Sequence, residues 1–463
     1  MGKPIKTVIV LLGILAVIGV WAWGGYMTED WLSGVTLGWG WGAAVGQAVG
    51  AIVFLQLLFV MIVATLLTIA ERKWSAAMQD RIGPNRAGRI GNMSFGGIPH
   101  IAADALKMIF KEDVLPAQAT RVLYQLAPVL NFAPIFCLFA VVPMGPPVRF
   151  DHVMDGHLVS LVSTLQISNP DIGLLYVFGI ASLAVYGVSL AGWSSGNKLA
   201  LLGGVRASSQ MIAYEVALGL GLVGMMMTAG TLRLDQMIQS QSQGLFGSSW
   251  LPAWGIFVQP LGFLLFFAAA FAETKRTPFD LPEGESEIIG YFIEYSGMKF
   301  GMFMIAEFIE IVTLSGIVTA VFFGGWHLGP AADEGLRELA GKVVRWRFSD
   351  PRSIIGSTAL TLAVIQTVIF TAKVLVLCWL QLAIRWTFPR FRYDQVQALG
   401  WRILLPAGLV NVFATGVCLL LDPSLGLLGI VGLAELAIGL GMALVAGTRE
   451  PAPRTTVAVA GGH

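Results

Sequence analysis

The chain has 463 residues, 56% of them hydrophobic and only 12% charged, with mean hydropathy +0.74, whereas a soluble domain carries about 25% charged residues. That composition excludes a soluble globular protein and points to an integral membrane protein, read as one polytopic unit because no gap between apolar runs has room for a separate soluble domain. The formal net charge of +1 and the lack of a basic stripe interleaved with aromatics argue for no nucleic-acid partner.

A transmembrane helix needs about 20 mostly apolar residues. Ten such helices are predicted, near residues 7–27, 45–70, 121–143, 172–193, 208–230, 254–272, 302–325, 357–384, 401–421 and 425–446. The expected fold class is therefore all-α, a polytopic membrane helix bundle with an added amphipathic surface helix. The first run follows Lys3 and Lys6 as a secretion signal would, but no small-residue cleavage site follows, so it is read as a retained helix. Gly42, Gly46 and Gly50 enter the second run at a spacing that lets helix backbones approach closely.

The first charged loop reads ERKWSAAMQDRIGPNRAGRIG, in which Glu71, Arg72 and Lys73 close the second helix and Gly83-Pro84-Asn85 marks a turn before Arg86. Downstream, His100, Asp104, Lys107 and Lys111 recur at helical spacing, apart from Ile101, Ala105 and Ile109. That pattern predicts an amphipathic helix lying on the membrane surface. Inside the fifth run lies Glu215. Gly219 to Gly224 in the same run match G-x-G-x-x-G but follow no strand, so a dinucleotide site fails its context.

After the sixth run comes ETKRTPFDLPEGESEIIGYFIEYSGMKF, residues 273–300. Pro278 and Pro282 break any helix there, and irregular backbone at membrane depth is tolerated only where protein buries it or water lines it. Beyond it, Glu287, Tyr291 and Glu294 are spaced to share one helical face, with Glu283 joining if the turn extends back. Crowded, desolvated carboxylates bind protons more tightly, which would let such a cluster store and release them, with Lys275 and Arg276 as partial compensation. Glu307 and Glu310, Lys373 and Glu435 follow inside apolar runs. Ionisable residues there usually face a bundle interior and mark ion or proton paths; Glu310 and Glu435 are read instead as local pairs or as groups near a helix end.

About 21 Lys and Arg fall in one set of alternate connections and about 7 in the other, which by the positive-inside rule puts both termini and the loop 273–301 in the cytoplasm. Cys137, Cys378 and Cys418 lie far apart with no C-x-x-C pair, and the five histidines form no H-x-x-x-H. The expectation is that the chain binds no metal and no iron–sulfur cluster of its own.

Four stretches, ERKWSAAMQDRIGPNRAG, GWSSGNKLALLGGVRASSQMIAYEVALGL, ETKRTPFDLPEGESEIIGYFIEYSGMKFGMFMIAEF and RWTFPRFRYDQVQALGW, closely resemble the H-type, quinone-tunnel membrane subunit of the proton-pumping NADH:quinone oxidoreductases, respiratory complex I. The likeness runs in order from about Gln47 to Asp422. It implies an eight-helix core at residues 45–422 with one extra helix at each end, in residues 1–44 and 423–463. It also implies a quinone-binding tunnel, for ubiquinone or menaquinone as substrate, in a chain without flavin. The implied setting is a prokaryotic cell membrane. The implied partners are hydrophilic iron–sulfur and quinone-module subunits on the cytoplasmic face, and further membrane-arm subunits.

By resemblance, Glu71, Arg72, Arg86 and Arg276 line the tunnel, and Asp280, Glu283, Glu285 and Glu287 lie beside the quinone cavity. Glu215, Glu273 and Glu307 match acids that begin a buried charged path, to which Lys373 is added as an intramembrane base. Lys73 stands where the family usually has a second arginine, GRIGNMSFGGIPHIAAD is longer than usual, and Ser182 replaces a glutamate of some relatives. A membrane-bound hydrogenase or related ferredoxin-linked complex shares the fold, but the GPNR turn and the TPFDLPE loop favour the quinone enzyme. A stand-alone secondary transporter predicts an internal repeat with paired broken helices, and none is visible.

Overall fold

The computed structural model describes residues 3–36, 42–85, 89–90, 93–94, 97–154, 157–282, 284, 290–347 and 351–448. Helix α1 (Lys3–Thr36) is followed by α2 (Gly42–Ala51), a π-helical stretch Ile52–Val60, and α3 (Met61–Met78), which run on as one rod. The short strands β1 (Arg89–Ile90) and β2 (Met93–Ser94) precede α4 (Pro99–Phe110). Helix α5 (Arg121–Leu138) leads to the hairpin β3 (Val148–Met154) and β4 (His157–Ser163), antiparallel with Val148 opposite Ser163. Then come α6 (Gly173–Ser194), α7 (Lys198–Ala229), α8 (Leu234–Ser240), α9 (Gly255–Val258) and α10 (Pro260–Glu273). The chain continues through α11 (Gly297–Phe322), α12 (Pro330–Arg347), α13 (Pro351–Thr387), α14 (Tyr393–Ala398), α15 (Leu405–Leu421) and α16 (Gly426–Thr448).

Among the described residues, eight helices are long and apolar enough to cross a membrane. Two shorter apolar helices, Pro260–Glu273 and Gly426–Met442, complete the ten predicted from sequence. The polytopic helical bundle is as expected, and α4 forms where amphipathic spacing placed it, burying none of its residues. The hairpin β3–β4 was not foreseen: its turn-rich surroundings, residues 144–171, read as loop. Helix α12 likewise occupies a connection to which sequence assigned no element.

Helix α11 is the axis of the bundle, with 94% of its most apolar window buried, because α5, α10, α13 and α3 all pack on it. Its start is fixed by Gly297, whose φ of +58° and close approach to the Lys111 carbonyl leave no room for a side chain. At Gly203 a Cβ would meet the Tyr291 nitrogen at 3.0 Å and the Pro282 oxygen at 3.3 Å, so α7 presses directly on the irregular loop after α10. Gly50 lies against Glu29, the close α1–α2 approach the glycine spacing predicted. Gly221 meets the backbone of α10 at Phe266, so the G-x-G-x-x-G stretch is a helix-packing surface.

One expectation is corrected. Tyr291 and Glu294 do not lie on a helix, because residues 291–294 form turns and α11 begins only at Gly297. Tyr291 is fully buried against Phe303. The Glu294 carboxylate accepts from Asn197 Nδ2 at 2.7 Å while its carbonyl accepts from Tyr124 Oη at 2.6 Å, which ties this turn to α5 and the start of α7.

Candidate functional site: a buried chain of acids and bases

The irregular segment after α10 carries Arg276 into the interior, 4% exposed. Its Nη1 donates to Glu71 Oε2 at 2.6 Å, its Nη2 donates to Glu307 Oε2 at 3.3 Å, and its guanidinium lies 4.1 Å from the centre of the Phe308 ring. Glu71, about two turns before the end of α3, is held from its other oxygen by Arg385 Nη1 at 2.5 Å. One planar, five-donor guanidinium thus joins two carboxylates on different helices, a task for which lysine has no equivalent geometry. Arg72, by contrast, points outward and pairs with Asp104 of α4 at 2.8 Å, pinning the surface helix to α3.

One residue away, Lys275 is wholly buried at positive φ, with Nζ 3.9 Å from Glu310 Oε2. Glu310 lies one turn along α11 from Glu307 and lines a small internal void together with Glu273, the last residue of α10, and Glu215 of α7. Leu138, Val177, Phe266 and Leu314 complete the wall. The void is about 10 Å³, close to the space one water requires. Counting formal charges, Glu71, Glu307, Glu310, Glu273 and Glu215 face Arg276, Arg385 and Lys275. The group has two more acids than bases, so each proton gained or lost changes the charge of a buried cluster.

On the other side of the segment, Asp280 is 4% exposed and accepts from Arg390 Nη2 at 2.7 Å. Burial pushes its carboxyl up to about 6, against the pull of Arg390 and Arg385. In the folded chain it therefore keeps a proton between roughly pH 4 and pH 6, where an exposed aspartate has lost it. Its contribution to stability falls as pH rises through that window and is level above it. Asp280, Arg206, Arg390, Arg392 and Asp394 line an open polar hollow of about 500 Å³. The segment's backbone is fixed from below by Gln210, whose Nε2 donates to the carbonyls of Ala272 and Phe279 at 2.6 and 2.8 Å.

The structure therefore brings together six residues singled out from sequence: Glu71, Arg276, Glu307, Glu273, Glu215 and Asp280. It separates Lys373 from them. Lys373 Nζ donates to the carbonyls of Phe323, Gly325 and His327 at 2.7, 2.9 and 2.7 Å and sits 4.5 Å from the Trp254 ring centre. Those carbonyls lie just past the end of α11, about 24 Å from Glu307 at 1.5 Å per residue, so Lys373 holds together the turn that follows the helix. Arg86, Glu283, Glu285 and Glu287 lie outside the described residues. Sequence reasoning missed Arg385 and Arg390, although both stand in the stretch RWTFPRFRY, and it left Glu310 as a local pair when its spacing of three from Glu307 puts both on one face. Glu435, also left to local pairing, accepts from the Leu261 backbone nitrogen at 3.3 Å at the start of α10.

A family model described as NADH dehydrogenase matches residues 51–416. A relative from Bdellovibrio bacteriovorus, named as an H-type subunit of NADH-quinone oxidoreductase, is 40% identical over 377 residues, covering 78% of this chain and 94% of that protein. The chain belongs to this family. Two further members illustrate its breadth. One, of the same type, from Cytophaga hutchinsonii, is 38% identical over 78% of this chain and 93% of its own. The other, NADH-quinone oxidoreductase subunit 8 from Rhodothermus marinus, is 38% identical over 80% and 96%. The family match takes in every residue of the buried chain of acids and bases, while all of α1 and all of α16 fall outside it.

Proposed function

We propose that the chain is the membrane subunit of a proton-pumping NADH:quinone oxidoreductase that houses the quinone cavity and couples quinone reduction to proton movement. The observation that carries this reading is the series from Glu71 through Arg276 and Glu307 to Lys275, Glu310, Glu273 and Glu215, buried along its middle and partly exposed at its two ends, Glu71 and Glu215. Reducing a quinone to a quinol takes two electrons and two protons, so charge and proton demand change wherever the quinone head sits. A cavity beside the segment 273–290 transmits that change to Asp280 and Arg276 electrostatically, because opposed charges in a low-dielectric interior interact over several ångströms. Arg276 shares carboxylates with both α3 and α11, so a shift in its position alters the proton affinity of the acids behind it. Lys373 has no part in this relay.

The electrons come from partners, since cofactor chemistry needs binding residues that this reading does not place on the chain. The partners are hydrophilic iron–sulfur subunits docked on the face carrying the polar hollow and α4, together with other membrane-arm subunits in the cell membrane of a prokaryote. Affinity capture of the tagged chain from gently solubilised membranes is expected to recover iron–sulfur and flavin-bearing proteins with NADH-oxidising activity. Recovery of the chain alone, or with a hydrogenase, would contradict the assignment.

The excess of Lys and Arg on one side supports a topology with both termini and the 273–301 loop in the cytoplasm. A cysteine at Lys198, exposed at the start of α7, is then expected to be shielded from a membrane-impermeant thiol reagent in intact cells, and one at Ser242, after α8, to be labelled. The opposite pattern would invert the topology.

A further inference from the structure

Between α1, the rod α2–α3 and α13 lies an apolar groove of about 770 Å³, open to the outside of the bundle. Its walls run from Gly13 to Trp21 on α1, from Leu58 to Ala70 on the rod, and from Thr371 to Leu382 on α13. The groove lies where α1, packed on α2 and α13, faces α3. At one end α1 is locked to the bundle, with Gly24 against Phe54, Gly50 against Glu29, Tyr26 Oη donating to the Pro146 carbonyl at 2.8 Å, and Ser163 Oγ donating to Glu29. Towards the end that carries Glu71, Val17 is 69% and Leu66 45% exposed.

We infer that this groove binds one acyl chain of an anionic phospholipid, with the lipid phosphate held by Lys73. Length selects the occupant. At 1.5 Å per residue the wall from Leu58 to Ala70 runs about 18 Å, close to half of the roughly 30 Å hydrocarbon core. A spanning helix of a neighbouring subunit needs the full thickness and meets the locked half of α1, whereas an acyl chain needs one leaflet. Charge selects the headgroup. The lining stripe on α3 continues one turn past Ala70 to Lys73 and Trp74, and Lys73 is exposed. Arg72 and Arg385 beside it are already engaged by Asp104 and Glu71, while among the described residues no carboxylate pairs with Lys73. Trp74 and Trp379 meet edge-to-face at 5.3 Å at the mouth, at the level where aromatic rings mark a membrane interface. The volume lies within the range of about 300–1,000 Å³ typical of ligand sites. Of the polar side-chain groups in its lining, the Trp21 indole nitrogen and the Thr371 hydroxyl are buried.

The test places a photoreactive benzoylphenylalanine at Leu66 in the assembled complex in its own membrane, with a control at Phe413, 73% exposed on α15. After illumination, mass spectrometry of the tryptic peptides reads the adduct. The expected result is phospholipid at Leu66 enriched in anionic headgroups relative to the control. Lys73→Gln should lower that enrichment about fivefold, the effect of one lysine at a membrane surface, and Lys73→Arg should retain it. Lipid adducts with the same headgroups at both sites, indifferent to Lys73→Gln, would overturn the inference. So would quinone or protein adducts at Leu66, which would assign the groove to the substrate or to a neighbouring helix.

Discussion

Replacing Arg276 with Met is expected to abolish quinone-dependent turnover and to lower the thermal stability of the complex sharply. The Glu71 and Glu307 carboxylates lose their shared donor at 2.6 and 3.3 Å, and Phe308 loses the cation beside its ring. Removing one partner of a buried ion pair costs about 3–5 kcal/mol, since the other charge stays behind without compensation. Arg385 still holds one oxygen of Glu71, so the larger part of the loss falls on Glu307, which is 3% exposed. Two further variants separate charge from geometry. Arg276→Lys keeps the charge but reaches one carboxylate at a time, and should fall between wild type and Arg276→Met. Combining Arg276→Met with Glu307→Gln removes the stranded charge, and should recover stability relative to Arg276→Met without recovering turnover. Melting curves of the solubilised complex and quinone reductase rates check both points. An Arg276→Met complex with wild-type melting would show that the pairs carry no weight.

Much of this arrangement was legible in the sequence for a simple reason. A carboxylate in an apolar run costs about 2.5–3.5 kcal/mol to insert, so Glu215 and Glu307 announce themselves, and Pro278 with Pro282 shows that the chain beside Glu273 and Arg276 cannot be a plain helix. Arg385 and Arg390 were hidden because positive charge at the end of a span is already explained by orientation. Their pairing with Glu71 and Asp280 is a tertiary fact, made when α13 packs on α11 and α3. The same insertion argument singled out Lys373, since a lysine in an apolar run has the same signature whether it relays protons or holds the carbonyls of a turn. The Gly324-Gly325 pair after Phe322, both at positive φ, was the available signal that α11 ends there and leaves carbonyls to satisfy. The predicted helical face failed at Tyr291 and Glu294, where the chain turns and the helix starts only at Gly297. The Ser296 hydroxyl instead donates to the Glu112 carbonyl and accepts from the Val114 nitrogen, anchoring the turn to the chain after α4.

The second large effect is expected at Glu310, which links Lys275 to the void shared by Glu273 and Glu215. Glutamine keeps the shape and can still hydrogen-bond but has no titratable proton, so a purely structural role would survive the change with a modest loss. A relay would not, because Glu310 is the acid that both pairs with Lys275 and shares the void with Glu273 and Glu215. The direct measurement is made on Glu310→Gln complex reconstituted in proteoliposomes, recording NADH oxidation by a hydrophilic acceptor, quinone reduction and proton uptake in the same preparation. The account predicts that oxidation by the hydrophilic acceptor stays near wild type while proton translocation falls at least about tenfold, equivalent to about 1.4 kcal/mol or more in the coupled step. Full quinone turnover with an unchanged number of protons moved per electron would contradict it.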